Sequence, residues 1–159
     1  MTDAPPSAAG PPPSPAASRT TPCLVFRAAG HWYAVPALQV VNIAATSRPV
    51  RVPGTPPFVR GVIASAGKVV PVLALALLLG EASRSGEVTR LVLLQSGGRL
   101  AACEVAEVLG IEDVSDAPGA PSDVPAAAGG AHRLGERLVT RLEVDRLMDL
   151  VAVAVRGRA

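Results

Sequence analysis

The sequence predicts an all-β fold, and three observations lead to this prediction. Short runs rich in Val, Leu and Ala, about eight of them, are separated by turn signals every eight to twelve residues. The helical segments that a parallel α/β fold needs between its strands are missing. A hairpin followed by further strands occurs once before and once after the polar stretch Glu81–Glu87. We therefore expect two small β-barrels that share a core, with short helices and a C-terminal helix.

The N-terminal 21 residues are mostly Pro, Ala, Ser and other small residues, with almost no charge. Such a segment cannot bury enough surface to offset the entropy of ordering it, so it is predicted to be a disordered tail, or alternatively a docking motif for a proline-binding partner. The folded domain is expected to span residues 22–155. No signal peptide is recognised, and the longest apolar run, Val69–Leu79, is shorter than the ~20 residues of a membrane span. The expectation is a soluble, cytoplasmic protein without membrane insertion.

The first half of the chain contains five predicted strands and a short helix. Pro36 ends the second strand, because proline has no N–H to donate to a ladder. Gly61 marks a bulge or the close approach of another backbone, and Ala66–Gly67 forms a tight turn. Leu73–Leu79 is predicted to be helical because Leu and Ala favour helix and Gly80 stands where a helix ends. The strands are Cys23–Ala29, Trp32–Val35, Val40–Ala45, Val59–Ser65 and Lys68–Val72.

The second half repeats this organisation after the polar loop. Gly97–Gly98 supplies a hairpin turn, and Asp116–Gly130 is a Pro-, Ala- and Gly-rich stretch typical of a surface loop. Apolar residues at helical spacing predict an amphipathic helix over Val144–Val155. The predicted strands are Thr89–Gln95, Arg99–Val105, Val108–Val114 and Arg137–Leu142.

Charge and composition argue against several classes of function. The 15 Lys and Arg against 13 Asp and Glu give a net charge of +2, and the basic residues are spread along the chain. A nucleic-acid-binding protein normally concentrates them in a stripe, so no nucleic-acid partner is predicted. Cys23 and Cys103 lie in apolar runs and are interpreted as small buried residues, although a disulfide between them stays possible. Two histidines offer no metal-ligand spacing, and neither metal nor cofactor is expected.

No arrangement of side chains resembles a catalytic site. Glu104 and Glu107 are interpreted as solvated strand edges or loop ends, because a spacing of three on a strand points them to opposite faces. His31 is placed at a hairpin tip and His132 in a flexible loop. Neither histidine is next to a nucleophile motif, and no phosphate-binding glycine motif is present. The sequence predicts a protein that is not an enzyme, and a small enzyme or ligand-binding barrel is the least favoured alternative.

The segment Pro53–Leu75, PGTPPFVRGVIASAGKVVPVLAL, resembles the signature of CheW-like domains. In that family a Pro-containing turn leads to an aromatic residue, a branched residue, a basic residue and Gly, followed by two strands joined by a Gly turn. The matching positions are Pro56, Phe58, Val59, Arg60, Gly61, Val62, Ile63, Gly67, Val70, Pro71, Val72 and Leu75. The flanking strands agree in order, so the resemblance covers about residues 22–150.

This resemblance implies two SH3-like barrels and a non-enzymatic adaptor that couples methyl-accepting chemotaxis receptors to a CheA-like histidine kinase. It also implies a chain that is monomeric outside the receptor array. Family members contact their partners around the signature turn and the strand before it. The implied partner-binding residues are Val40, Asn42, Arg60, Gly61, Val62, Ile63, Ala66 and Gly67.

Three positions depart from the family pattern. The turn commonly reads Asn-Leu-Arg-Gly, whereas this chain has Ala66 in place of the arginine; Ala74 replaces the usual Asp, and Asn42 a frequent Glu. An arginine donates several hydrogen bonds in fixed geometry, and an alanine side chain donates none. We therefore expect altered or weak partner binding at this turn. The alternative function is a structural or antagonist module of receptor arrays with weak or no kinase coupling.

Overall fold

The computed structural model describes residues 19–78, 87–116 and 128–156. Within these ranges the chain forms ten strands, one 3-10 turn (Ala37–Gln39) and two α-helices, which we number in chain order. The strands are β1 (Thr20–Ala28), β2 (His31–Pro36), β3 (Val40–Ala45), β4 (Val59–Ser65), β5 (Lys68–Leu73), β6 (Arg90–Ser96), β7 (Arg99–Val105), β8 (Glu107–Ser115), β9 (Ala128–Leu134) and β10 (Arg137–Leu142). The helices are α1 (Leu75–Leu78) and α2 (Val144–Arg156).

The strands form two five-stranded sheets, each an SH3-like barrel, and this confirms the predicted all-β fold. Barrel A has the order β8-β1-β2-β10-β9 and takes its strands from both ends of the chain. Barrel B has the order β3-β6-β7-β5-β4 and is built from the middle. Each barrel combines antiparallel hairpins with one parallel pair, β2 with β10 in barrel A and β5 with β7 in barrel B.

Three apolar clusters explain why the central strands are almost continuously hydrophobic. Successive side chains of a strand point to opposite faces. In β1, Cys23 and Val25 therefore face the interior of barrel A, whereas Leu24 and Phe26 face a core shared by both barrels. In barrel B the same alternation sends Leu91 and Leu93 of β6 to its interior and Val92 and Leu94 to the shared core. The central strands are buried on both faces because one face fills a barrel and the other joins the barrels.

Helix α2 closes the shared core over one end. Val144, Leu147 and Met148 are buried in this core, while Leu150 and Val151 pack against it from a half-buried position. The polar face of the helix is tied to the β6–β7 hairpin. There the Ser96 hydroxyl donates to the Asp145 carboxylate, and the Arg99 guanidinium lies 2.9 Å from the Asp149 carboxylate. The predicted C-terminal amphipathic helix is confirmed, and its buried residues belong to the core that the two barrels share.

The structure corrects the prediction of β9 and of the start of β1. The end of the predicted loop Asp116–Gly130 belongs to β9, which pairs with β10 and places His132 opposite Val139. His132 is therefore on a strand and not in a loop; Ala-Gly-Gly-Ala offers no strand signal, and tertiary pairing decides the conformation. The first strand begins at Thr20, ahead of the predicted Cys23, because its start pairs with Ser115 at the end of β8.

Other predictions fall partly outside the described ranges. Residues 1–18 of the predicted tail, residues 79–86 with most of the polar loop, and residues 117–127 of the second loop lie there. The predicted helix Leu73–Leu79 is a single turn, α1, because Leu73 continues β5. The turn before β2 is formed by Ala29 and Gly30, both with positive φ, so His31 is the first residue of the strand.

Both cysteines are buried, and each is a free thiol. Cys23 faces the interior of barrel A and Cys103 the shared core, so the two thiols lie in separate clusters. Burial raises the pKa of Cys103 to about 12, since a thiolate would lose its hydration there. Burial likewise raises the pKa of Cys23. The interpretation of both residues as small hydrophobic core members is confirmed.

A candidate docking surface on barrel B

The β4–β5 hairpin forms one edge of barrel B and carries most of the sequence-predicted site. Ser65 pairs with Lys68, so a two-residue turn joins the strands. Ala66 and Gly67 in this turn have φ of 49° and 77°. Positive φ at both positions gives the twist that a tight hairpin requires, but it is unfavourable for a residue with a Cβ such as Ala66. Both residues are exposed at the tip of the hairpin.

The outer edge of β4 is covered by a single bridge from the segment that precedes it. Val50 and Val62 exchange two backbone hydrogen bonds, each 2.9 Å long. Gly61 makes this bridge possible, because a Cβ on it would lie 2.5 Å from the Val50 carbonyl oxygen. Its φ of 149° is also a conformation that side-chain-bearing residues avoid. The predicted close approach of another backbone at Gly61 is confirmed, and the approaching backbone is that of Val50.

A cavity of about 440 Å³ opens beside this bridge, and we call it the hairpin cavity. Its apolar lining comes from both strands and from the bridging residue: Val50, Val62, Ile63, Ala64 and Val69. Val50 and Val69 are 69% and 72% exposed, which places two branched apolar side chains in water next to a concave surface. Val62 and Ile63 are half-buried, and Ile63 also packs against the interior of barrel B. The hairpin thus presents an apolar cavity at the edge of the sheet.

Arg60 is held by a partner within the chain. Its Nε lies 3.2 Å from Glu104 Oε1, and the two side chains are 40% and 17% exposed. Arg60 is on β4 and Glu104 on β7, so the pair connects the hairpin to the strand that lines the shared core. The interpretation of Glu104 as a solvated edge residue is therefore wrong, whereas Glu107, half-exposed on β8, forms a surface pair with Arg27. The spacing of Glu104 and Glu107 in the sequence could not reveal this difference, because the two residues lie on different strands. β7 ends at Val105, and β8 begins at Glu107.

The structure unites six of the eight predicted site residues and separates two. Arg60 to Ile63 lie on β4, and Ala66 and Gly67 form the adjoining turn. Val40 and Asn42 lie on β3, at the other end of the strand order of barrel B. Val40 is half-buried against the shared core, whereas Asn42 is exposed. The predicted residues therefore belong to two edges of one sheet.

Sequence reasoning missed the two most exposed apolar residues of the surface. Val50 and Val69 line the hairpin cavity, but neither belongs to the signature positions that carried the prediction. The alternating stretch Arg48–Val52 contains the signal for Val50, since alternation indicates a strand with one apolar face. Only the bridge to Val62 shows where that face lies.

The fold and this surface define a class, that of all-β modules made of two SH3-like barrels around one core. A family model described as the CheW-like domain matches residues 22–152. The chain therefore belongs to the CheW-like family, as its signature segment predicts.

Two relatives give the extent of the similarity. The curated protein named "Chemotaxis protein CheW" from Helicobacter pylori is 30% identical over 122 residues, which cover 73% of this chain and 74% of that protein. The crystal structure of the scaffolding protein TtCheW from Thermoanaerobacter tengcongensis superimposes with a TM-score of 0.69 at 21% identity, covering 78% of this chain and 89% of that one. The second comparison establishes the shared fold. Within the described residues, no helix is long and apolar enough to cross a membrane.

Proposed function

We propose that this chain is a non-enzymatic adaptor that couples methyl-accepting chemotaxis receptors to a CheA-type histidine kinase in the cytoplasm. The observation that carries the proposal is the hairpin cavity, where two exposed valines flank a concave apolar surface at a sheet edge. Clustered exposed apolar side chains mark surfaces that other proteins cover. The names of the relatives, a chemotaxis protein and a scaffolding protein, support the same role.

The partner-binding residues that we propose are those of the two edges of barrel B. The β4 edge and its turn contribute Arg60, Gly61, Val62, Ile63, Ala66 and Gly67, and the β3 edge contributes Val40 and Asn42. Two separate edges suit an adaptor, because one molecule then contacts two partners without either displacing the other. Arg60 acts on the surface indirectly, since its guanidinium is bonded to Glu104.

One observation favours a second candidate function, a structural or antagonist module of receptor arrays. Ala66 occupies the exposed, left-handed position of the hairpin turn, where the family commonly has an arginine. The methyl group of Ala66 donates no hydrogen bond, so a partner that reads this turn through a guanidinium loses those bonds. Weak kinase coupling with retained receptor binding would be the result.

The experiment that tests the proposal measures binding of the full chain to the kinase regulatory domain and to a receptor cytoplasmic tip, both from the same genome. We expect Val69→Ser to lower affinity for one of them by about tenfold, because an exposed apolar contact at an interface centre is lost. The matched control is Val153→Ser on α2, 65% exposed in the wild type, which should leave both affinities unchanged. Both variants should unfold at the same urea concentration as the wild type.

The outcomes separate the two candidates. If the wild type binds both partners, the adaptor function is supported. If it binds neither partner, the adaptor function is rejected. Receptor binding without kinase binding supports the antagonist module, and Ala66→Arg should then raise kinase affinity. If Ala66→Arg leaves kinase affinity unchanged, the turn plays no part in kinase contact.

A further inference from the structure

Acidic residues are distributed very unevenly along this chain. The 77 residues between Asp3 and Glu81 contain no Asp or Glu. They do contain five arginines and one lysine. Strands β1 to β5 and their connections lie within this interval. Any negative charge near the β4–β5 hairpin must therefore come from Asp3, from the second half of the chain or from another molecule.

Three cations of this interval surround the hairpin, and none of them has a carboxylate partner among the residues that the structure describes. Arg48 lines the hairpin cavity, Lys68 begins β5 next to the cavity residue Val69, and Arg51 follows the bridging Val50 and lines a neighbouring cavity of about 280 Å³. All three side chains are exposed. Among the described residues, none of the three takes part in an ion pair. Elsewhere in those ranges five arginines do so: Arg27, Arg60, Arg99, Arg141 and Arg146.

The combination of an apolar cavity with unmatched cations limits what can bind there. A basic partner would bring like charges within a few ångströms, inside the screening length of about 8 Å at physiological salt. A neutral apolar partner would fill the cavity but would bring no negative charge to the cations at its rim. An apolar side chain flanked by carboxylates satisfies both features, since burial supplies affinity and opposite charges supply orientation and speed of association.

We propose that the partner surface bound at the hairpin cavity is acidic, with an apolar side chain inserted between Val50 and Val69 and carboxylates facing Arg48 and Lys68. This inference rests on the proposed adaptor function and specifies the chemistry of the partner at that surface. It assigns a binding role to Arg48 and Lys68, which lie outside the family signature positions. The occupant is a protein surface, because the cavity is open and lined by two strands and a bridging segment.

The test measures association of the full chain with the kinase regulatory domain and with the receptor tip by stopped flow and calorimetry, at about 0.05 M and about 0.5 M NaCl. For the partner whose affinity Val69→Ser weakens, Arg48→Glu and Lys68→Glu should each slow association by about tenfold at low salt. Arg48→Lys should retain most of the rate. The matched control is Arg133→Glu on β9 of barrel A, an exposed arginine with the same change in net charge.

The possible results are distinct. If both reversals slow association at low salt, high salt abolishes the difference and Arg133→Glu has no effect, the proposal is supported. If Arg133→Glu slows association equally, the effect is one of net charge and the local proposal is overturned. If Val69→Ser weakens binding while both reversals and salt change nothing, the partner is neutral; the proposal fails but the adaptor function stands. If the wild type binds neither partner, both the adaptor function and this inference are rejected.

Discussion

The two barrels have the same strand number and differ in how the charged groups along one edge are paired. Barrel A contains a polar network in which Asp116 accepts hydrogen bonds from the Thr21 hydroxyl (2.6 Å) and the Arg141 guanidinium (2.8 Å). Arg141 also donates to the Ser115 carbonyl at 2.9 Å. This network joins the start of β1, the end of β8 and β10. The charged groups of this network are therefore paired within barrel A itself.

Barrel B leaves charged and apolar groups unmatched at its β4–β5 edge. Arg48 and Lys68 form no ion pair among the described residues, and Val50 and Val69 are largely exposed. The difference teaches that two sheets of equal strand number need not partner their edge residues alike. Barrel A is built from β1, β2 and β8 to β10, and barrel B presents the edge that we propose is covered by a partner protein. Both depend on the core that they share.

The largest expected effect tests whether the two barrels are one folding unit. Leu94→Ala removes a fully buried side chain from the shared core and should lower the free energy of unfolding by about 2–5 kcal/mol. Because this core contains residues of both barrels, urea unfolding should remain a single transition, and amides of both sheets should lose protection from hydrogen exchange together.

If the Leu94→Ala variant unfolds in two separate transitions and its barrel A amides stay as protected as in the wild type, the two barrels are not one folding unit. Leu93→Ala is the matched control, since Leu93 neighbours Leu94 on β6 but faces the interior of barrel B. It should destabilise to a similar extent.

An intermediate effect sharpens the description of the barrel B edge. Gly61→Ala places a Cβ against the Val50 carbonyl and should cost about 2 kcal/mol or more, with loss of the Val50–Val62 bridge. Gly54→Ala is the control, because Gly54 also has positive φ (82°) but nothing within 4 Å of its Cβ position; it should cost about 1 kcal/mol. Urea denaturation of both variants gives the comparison, and equal costs would show that the close approach at Gly61 is without consequence.

The smallest effect tests the network of barrel A through its pH dependence. The hydrogen bond from Thr21, followed by that from Arg141, holds the pKa of Asp116 below its ordinary value of 3.8. A carboxyl with a lowered folded-state pKa contributes stability above the unfolded value, and this contribution disappears as the pH falls through the folded-state pKa. The wild type should therefore lose more stability below pH 3.8 than Asp116→Asn does.

Thr21→Val, which keeps the carboxyl but removes its first donor, should fall between the wild type and Asp116→Asn in this titration. Thermal unfolding at several acidic pH values measures the difference. Parallel curves for all three proteins would mean that the Asp116 carboxyl contributes nothing to the pH dependence.

Local signals predicted most of the strands, because alternation, turn residues and proline act over a few positions. Val40–Ala45 and Val59–Ser65 agree with β3 and β4 residue for residue, and the turns at Ala66–Gly67 and Gly97–Gly98 lie where glycine places them. β9 was missed because its pairing with β10 outweighs a weak strand sequence. The pair of Arg60 and Glu104 was missed because 44 residues separate partners that only the sheet brings together.

The sequence by itself determined the class of fold, the family and the hairpin that carries the signature, since each depends on residue types at short spacing. Only the tertiary structure decided which apolar residues stay in water. Val50 and Val72 are equally apolar in the sequence, yet one is 69% exposed and the other fully buried. The reason is physical: burial depends on which strand pairs with which, and pairing between distant segments is a property of the folded chain as a whole.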